Sequence, residues 1–579
     1  MCGIAGIYNQ QKKVQHTDLK VMADKLAHRG PDGEGIWINE RDNIGFAHRR
    51  LSIIDLSDNA SQPMHYANDR FTITYNGEIY NYIELRSALV KKGYTFRSKS
   101  DTEVILALYQ DMGVKCLGLF DGMFAFGIWD NDEKELFLAR DRFGEKPLYY
   151  SFIDGGFCFA SEMKALFAIG ASKETSPERV YKYLQANVLT DAENVESTFY
   201  THVKQIDAAN FTIVKDGRIK QKEKYWTLDN IDLNTNINID DAAEEFRNLL
   251  YTSIKRRMRS DVPVGSSLSG GIDSSAIVLI ANQLKEPGQV QNTFSARFKN
   301  FSKDEGPFIE MVTGSSKDIN QHNVWPDVDQ LIDEIDSLAY CQEEPFYSGS
   351  QYNQYCVMRL AKEYNTTVLM DGQGADEQLG GYLQYYFHHL THLITNNLRQ
   401  FLKERKAYHI VHKETVPYRI PRRLPMWYAK KILFNGVYRY DANVRELLKT
   451  DTTSTGLKDL LRYGDRNSMA FSREIRLPFL SHELSEFIFS LPVDYILRDG
   501  WTKFILRKAM EGIVPEQIAW RKDKVGFEPP QDNWVNRLKP MIDNYKSRTN
   551  YLDFTGGRKV KMVTDWKYLM LKLFINNKG

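Results

Sequence analysis

The sequence is short of cysteine, of net charge and of long apolar runs, and each shortage closes off a class of protein. Five cysteines (Cys2, Cys116, Cys158, Cys341, Cys356) are scattered over 579 residues with no Cys-x-x-Cys pair. Neither a zinc site nor a disulfide framework is expected, and the expected compartment is a reducing cytoplasm. The 76 Lys and Arg nearly balance 75 Asp and Glu, for a net charge of +1. No overall basic field points to nucleic acid. No apolar stretch reaches the roughly 18 residues that a membrane span needs. Met1-Cys2-Gly3-Ile4 has neither the basic region nor the apolar core of a signal peptide. Repeats and low-complexity tracts are absent, and the length suits two large domains.

Two glycine-rich turns mark the second half of the chain. Ser269-Gly270-Gly271-Ile272-Asp273-Ser274-Ser275 follows an apolar-leaning strand over 262–268 and precedes a helix over 276–281. Strand, glycine turn and helix start form an anion site. Gly270 and Gly271 have no Cβ to keep backbone N–H groups from a phosphate, and Ser274 and Ser275 add hydroxyls where the helix dipole favours negative charge. No lysine follows the glycines, so this is not the Gly-x-x-x-x-Gly-Lys-Ser/Thr loop. The bland alternative is an ordinary strand-to-helix turn. The second turn, Asp371-Gly372-Gln373-Gly374-Ala375-Asp376-Glu377, follows a strand over 366–370. Its paired acids suit Mg²⁺ bridging phosphates, and equally the first turn of a helix. With a strand over 292–298 and helices over 240–259 and 351–363, this half reads as an α/β parallel sheet, whose ligands bind at the carboxyl ends of strands.

The first half reads as antiparallel strands with two helices between Ile83 and Met112. By position alone Cys2 is a small buried residue of an edge strand. Once Met1 is removed, its thiol and α-amine share one residue, and an α-amine titrating at roughly 7.7–8.0 can serve as base for its own nucleophile. His28-Arg29-Gly30-Pro31-Asp32-Gly33 is turn-rich, and Ala47 to Ile54 carries Arg49 and Arg50. Tyr75-Asn76-Gly77-Glu78-Ile79 reads as a turn between apolar strand residues, and Ser100-Asp101-Thr102-Glu103 as a helix cap.

This ordered set resembles the class II glutamine amidotransferase domain over residues 2–200, an N-terminal-nucleophile hydrolase with two antiparallel sheets between helical layers. The resemblance implies Cys2 as nucleophile and Asn76 with the Gly77 N–H as oxyanion hole. It implies glutamine binding by Arg50, Ser52, Ile53, Asn76, Gly77, Glu78 and Asp101. Of these, Arg50 meets the α-carboxylate, while Glu78 and Asp101 hold the α-ammonium. After a linker with connecting strands over 201–239, residues 240–579 resemble an ATP-pyrophosphatase-like synthetase domain. Together the halves resemble the glutamine-hydrolysing asparagine synthetase family. The resemblance implies ATP contacts at Ser267, Ser269, Gly270, Gly271, Asp273, Ser274, Ser275, Ala296, Asp371 and Gly372. It also implies Mg²⁺ on Asp273 and Asp376, and a pyrophosphate lysine at Lys524 or, less directly aligned, Lys522.

The implied reaction is glutamine-dependent, ATP-driven amidation of a carboxylate through an acyl-adenylate, releasing AMP and pyrophosphate. Aspartate is the leading acceptor; a uronic acid sugar or a peptide side chain is the alternative. A homodimer is a compatible assembly. Two departures bear on the acceptor. Gln373 stands where the family has a glutamate with a catalytic role, and an amide cannot act as a base. Ser481 stands where the family commonly has Asp. A further alternative is a glutaminase that holds ATP only structurally. Arg466, Arg476, Lys503, Arg507 and 521–524 are basic residues suited to neutralising pyrophosphate. Arg399–Arg439, with eleven Lys/Arg against two Glu, reads as a solvated excursion rather than an anion-binding face.

Overall fold

The strand Gly122–Asp130 is nearly all apolar because it is buried on both faces and paired on both edges. Phe124, Phe126 and Ile128 pack beneath the helix Asp101–Met112, while Ala125 and Trp129 face a second sheet. That is the period-2 division of a strand between two layers. The computed structural model describes residues 1–413, 443–522, 528–547, 550–561 and 563–576.

Among the described residues the first part forms two antiparallel six-stranded sheets. One runs Lys204–Gln205, Tyr149–Ile153, Gly156–Ala160, Gly3–Tyr8, Ile44–Arg50, Gly33–Asn39. The other runs Arg218–Lys224, Asn210–Lys215, Glu135–Arg140, Gly122–Asp130, Phe71–Ile79, Met64–Tyr66. Ile4, Tyr8, Phe46, Trp129, Leu138 and Phe159 fill the space between them. The strands expected between 201 and 239 exist and extend the second sheet at its edge. Ser100 caps its helix, its hydroxyl accepting from Thr102 N–H at 3.1 Å. Glu103 does not reach back to the cap and accepts instead from the N–H groups of Arg97 and Ser98.

Asn76-Gly77 is not the expected turn. Phe71–Ile79 is one strand, paired along its length with Gly122–Asp130. A Cβ at Gly77 would lie 2.1 Å from the Met123 carbonyl oxygen, and φ there is +156°. Close approach of the neighbouring strand, not chain reversal, requires glycine here.

The second part holds a parallel sheet in the order Ile319–Val324, Gln291–Ala296, Val264–Ser267, Val368–Met370, Glu474–Arg476. The helix Ile272–Leu284 follows the central strand, and the helix Ile239–Arg257 packs beside it. Of the basic Arg399–Arg439 stretch, the described part continues the helix Leu398–His412; the remainder lies outside the described residues. No helix among the described residues is long and apolar enough to cross a membrane.

Buried charge joins the two parts. Arg29 grips Asp465 through two bonds of 2.8 and 2.9 Å and also reaches Glu162 at 2.7 Å. Arg466 pairs with Glu162 at 3.0 Å and with Glu343 at 2.7 Å. Arg466 and Arg476 therefore serve this seam. They do not line the nucleotide-type cleft as their basic character suggested, because buried carboxylates from the first part and the seam hold their guanidinium groups.

Candidate functional site

Cys2 lies just before the strand Gly3–Tyr8, almost fully buried, with Sγ 3.9 Å from the Leu51 carbonyl oxygen. Burial pushes its thiol above the ordinary value; the N-terminal ammonium and the Leu51 contact pull the other way. Cys2 N–H donates to Asn76 Oδ1 at 2.8 Å, and Arg29 Nε donates to the Cys2 carbonyl at 3.0 Å. Asn76 Nδ2 is buried without a hydrogen-bond partner among the described residues.

Cys2, Arg50, Ile53, Gly77, Glu78 and Asp101 all line one small pocket. Ser52 and Asn76 stand off its wall: Ser52 N–H is tied to Asp32 Oδ2 at 2.8 Å, and Asn76 sits behind Cys2. Arg50 is spanned by the carbonyls of Ser57, at 2.9 Å, and Asp55. Asp101 Oδ2 accepts from Tyr75 OH and from Ile79 N–H, each at 2.8 Å. Glu78 Oε2 is buried and unpartnered. Burial, then Asp101 and Glu474, hold the Glu78 carboxyl well above the usual range.

Two residues at this pocket were not foreseen. The Met1 ammonium pairs with Glu474 at 3.0 Å, and Glu474 bonds Arg476 at 2.6 Å, with Glu78 3.7 Å beyond. Glu474 and Arg476 belong to the edge strand of the other sheet. Nothing local in Glu474-Ile475-Arg476 signals that it faces Cys2.

The second site is an open cleft at the carboxyl ends of the parallel strands. Ser267, Ser269, Gly271, Asp273, Ser274, Asp371, Gly372, Gln373 and Asp376 all line it. Gly270 is pressed against Phe308, Ser275 is fully buried, and Ala296 ends the neighbouring strand; these three stand off the wall. Ser274 Oγ accepts from Ser269 N–H at 3.2 Å, closing the loop on itself. Lys503 Nζ lies 2.5 Å from both Asp273 Oδ2 and Asp376 Oδ1. Burial lowers its affinity for a proton, but the two carboxylates outweigh that and raise it.

Arg507 donates to the carbonyls of Thr502 at 2.8 Å and Ala519 at 2.6 Å, and burial brings it down to about 10. Arg521 reaches Glu305 at 2.8 Å. Lys524 lies outside the described residues, and Lys522 is exposed. Ser481 is buried off the cleft, next to the helix His482–Ser490. The helix Gly456–Met469 links the two sites. Leu460 and Tyr463 line the cleft, Asp465 holds Arg29, and a Cβ on Gly464 would stand 3.1 Å from Gln373 Oε1.

Residues 1–226 match the glutamine amidotransferase domain family, and residues 245–556 match the asparagine synthase family. Asparagine synthetase 1 (glutamine-hydrolysing) of Bacillus subtilis is 33% identical, over 94% of this chain and 89% of its own. Amidase chry2 of Gibberella zeae is 24% identical over 92% and 90%. A solved glutamine phosphoribosylpyrophosphate amidotransferase of B. subtilis is 14% identical, over 64% of this chain and 82% of its own, with a TM-score of 0.30.

An antiparallel part bearing Cys2 and a parallel-sheet part bearing the glycine-rich loops define a glutamine-dependent, ATP-driven amidating enzyme, a carbon–nitrogen ligase with glutamine as amido donor. The chain belongs to the glutamine-hydrolysing asparagine synthetase family.

Proposed function

We propose that this enzyme converts aspartate to asparagine, using a glutaminase site at Cys2 and an adenylating site at the cleft. The supporting observation is the meeting of Ser269–Ser274 with Asp371–Asp376 on one cleft, tied through one helix to the Cys2 pocket. The first site is that of an N-terminal-nucleophile hydrolase with an α-β-β-α sandwich; we divide the chain at 2–200, 201–239 and 240–579.

Met1 lines the Cys2 pocket, and its ammonium is bound by Glu474. Its removal frees both the pocket and the α-amine of Cys2. The thiol attacks the glutamine carboxamide, the α-amine takes its proton, and the Asn76 amide with Gly77 N–H meets the developing oxyanion. The carbon–nitrogen bond breaks with the proton passed to nitrogen, leaving a thioester and ammonia; water then releases glutamate. Arg50, Ile53, Glu78 and Asp101 orient glutamine.

In the cleft, the N–H groups and hydroxyls of Ser269–Ser275 hold polyphosphate, and Arg507, bonded to carbonyls, keeps its charge for anions. Asp273 and Asp376 are hard oxygen donors already bridged by a cation, a set that fits Mg²⁺. When bound, Mg²⁺ neutralises charge on the phosphates. The acceptor carboxylate attacks the α-phosphorus and pyrophosphate leaves; ammonia then displaces AMP. Gln373 cannot be the base for that attack, so the attack relies on ammonia arriving neutral, on another base or on water. Residues 521–524 supply further positive charge for pyrophosphate. Free cysteines throughout suit a reducing cytoplasm.

ATP–pyrophosphate exchange driven in turn by aspartate, a hexuronic acid and a peptide carboxylate tests the acceptor. Aspartate-driven exchange is expected. Exchange with a uronic or peptide acid alone transfers the assignment to that acceptor, the reading that Gln373 in place of glutamate favours.

A further inference from the structure

Lys503 is placed with unusual care. Its Nζ bridges Asp273 and Asp376 at 2.5 Å each, with the residue only 4% exposed. Its backbone is left-handed, φ +53°, and its N–H bonds the Leu379 carbonyl at 3.2 Å. The space it uses exists because residue 381 is glycine. A Cβ there would stand 2.4 Å from Lys503 Cε and 1.8 Å from Asp376 Oδ1. Backbone, neighbour and ion pairs all fix the ammonium between the two acids.

We propose that Lys503 is the resident cation of the divalent-metal site, bridging Asp273 and Asp376 until the metal enters with its nucleotide, then yielding both carboxylates and turning to the polyphosphate. The inference rests on the ATP·Mg²⁺ reading above. Asp273 and Asp376 face each other across the Lys503 ammonium, and two carboxylates so placed repel unless a cation lies between them. The charge of the lysine offsets that repulsion. A lone divalent ion must displace this ammonium from both of its carboxylates. Among the described residues no three His, Cys, Asp or Glu side chains gather to hold a metal by themselves. A metal carried on polyphosphate brings the anion that receives the lysine, so charge stays balanced throughout the exchange. Metal binding should therefore depend on nucleotide, and Lys503 should be the reason.

Mn²⁺ binding, followed by electron paramagnetic resonance with and without a non-hydrolysable ATP analogue, tests this. The native protein should bind Mn²⁺ weakly alone and tightly with the analogue. Lys503→Met should tighten nucleotide-free Mn²⁺ binding by roughly tenfold or more and remove most of the dependence on the analogue. Unchanged nucleotide-free affinity overturns the inference while leaving the metal reading intact. If Mn²⁺ fails to bind the native protein even with the analogue, or binds equally well to Asp273→Asn, both fall. A measurement on the native chain guards against a variant that does not fold. With ¹⁵Nζ-labelled lysine, one slowly exchanging ammonium resonance should shift when Mg²⁺ and the analogue are added together, and not when Mg²⁺ is added alone. A shift with Mg²⁺ alone, or none with both, overturns the inference.

Discussion

The Cys2 pocket is small, with Glu78 Oε2 unpartnered on its wall and Asn76 Nδ2 unpartnered behind it; the cleft is larger, and its facing acids already share an ammonium. The difference follows from the ligands. On the proposed reading a carboxamide arrives neutral and develops charge only during reaction, which suits an unpartnered Asn76 Nδ2. A polyphosphate arrives highly charged, so the empty cleft must be balanced before it comes. In the proposed scheme one site stores an unused hydrogen bond and the other a removable cation.

The sharpest way to break the comparison is Cys2→Ala. Glutamine-dependent amide formation should vanish while synthesis from ammonium salts persists, read as product formed with each nitrogen donor. Glutaminase activity surviving in that variant would remove Cys2 from the scheme. Next in size is Asp273→Asn, which should slow pyrophosphate exchange by roughly a hundredfold and leave glutamine hydrolysis within a small factor of native. Equal losses in both assays would mean that the sites are not separate.

A smaller effect probes the seam between the sites. Asp465→Ala leaves Arg29 buried with only Glu162, and should lower stability by about 3 kcal/mol in denaturant unfolding. A change near zero would show that the charges across the seam do not couple the halves. A further effect concerns acid. His48, buried beside the Tyr75 carbonyl at 3.1 Å, is held down to about 3 by burial. The unfolded chain takes up a proton that the fold refuses, so stability falls as pH drops from about 6.5 towards 3. His48→Gln should flatten that slope by about 1.4 kcal/mol per pH unit in denaturant titrations, and an unaltered slope would count against a neutral buried His48.

What the sequence made legible is local. Strand, glycine turn and helix were readable around Ser269–Ser275 because the residue types dictate the geometry. Cys2, Arg50, Gly77, Glu78 and Asp101 do come to one pocket. Asn76-Gly77 misled because Asn-Gly is a turn signal, whereas here the glycine answers to a strand lying against it. The strand Ile319–Val324 escaped notice because Asn320 to Asn323 are polar. Glu474 and Arg476 could not be assigned to the Cys2 pocket at all, since a three-residue edge strand acquires its position only when two domains pack. Lys503 looked like one more cation; its partnership with Asp273 and Asp376 is set by Gly381 and a left-handed backbone, which no spacing announces.

The central claim is that glutamine hydrolysis feeds an adenylated carboxylate within one chain. Its most direct test is a single reaction of the enzyme with glutamine, ATP·Mg²⁺ and aspartate, in which glutamate, asparagine, AMP and pyrophosphate are all quantified over time. The account predicts AMP and asparagine in equal amounts, with glutamate keeping pace. ADP and phosphate in place of AMP and pyrophosphate, or glutamate accumulating with no AMP and no amide, would contradict it.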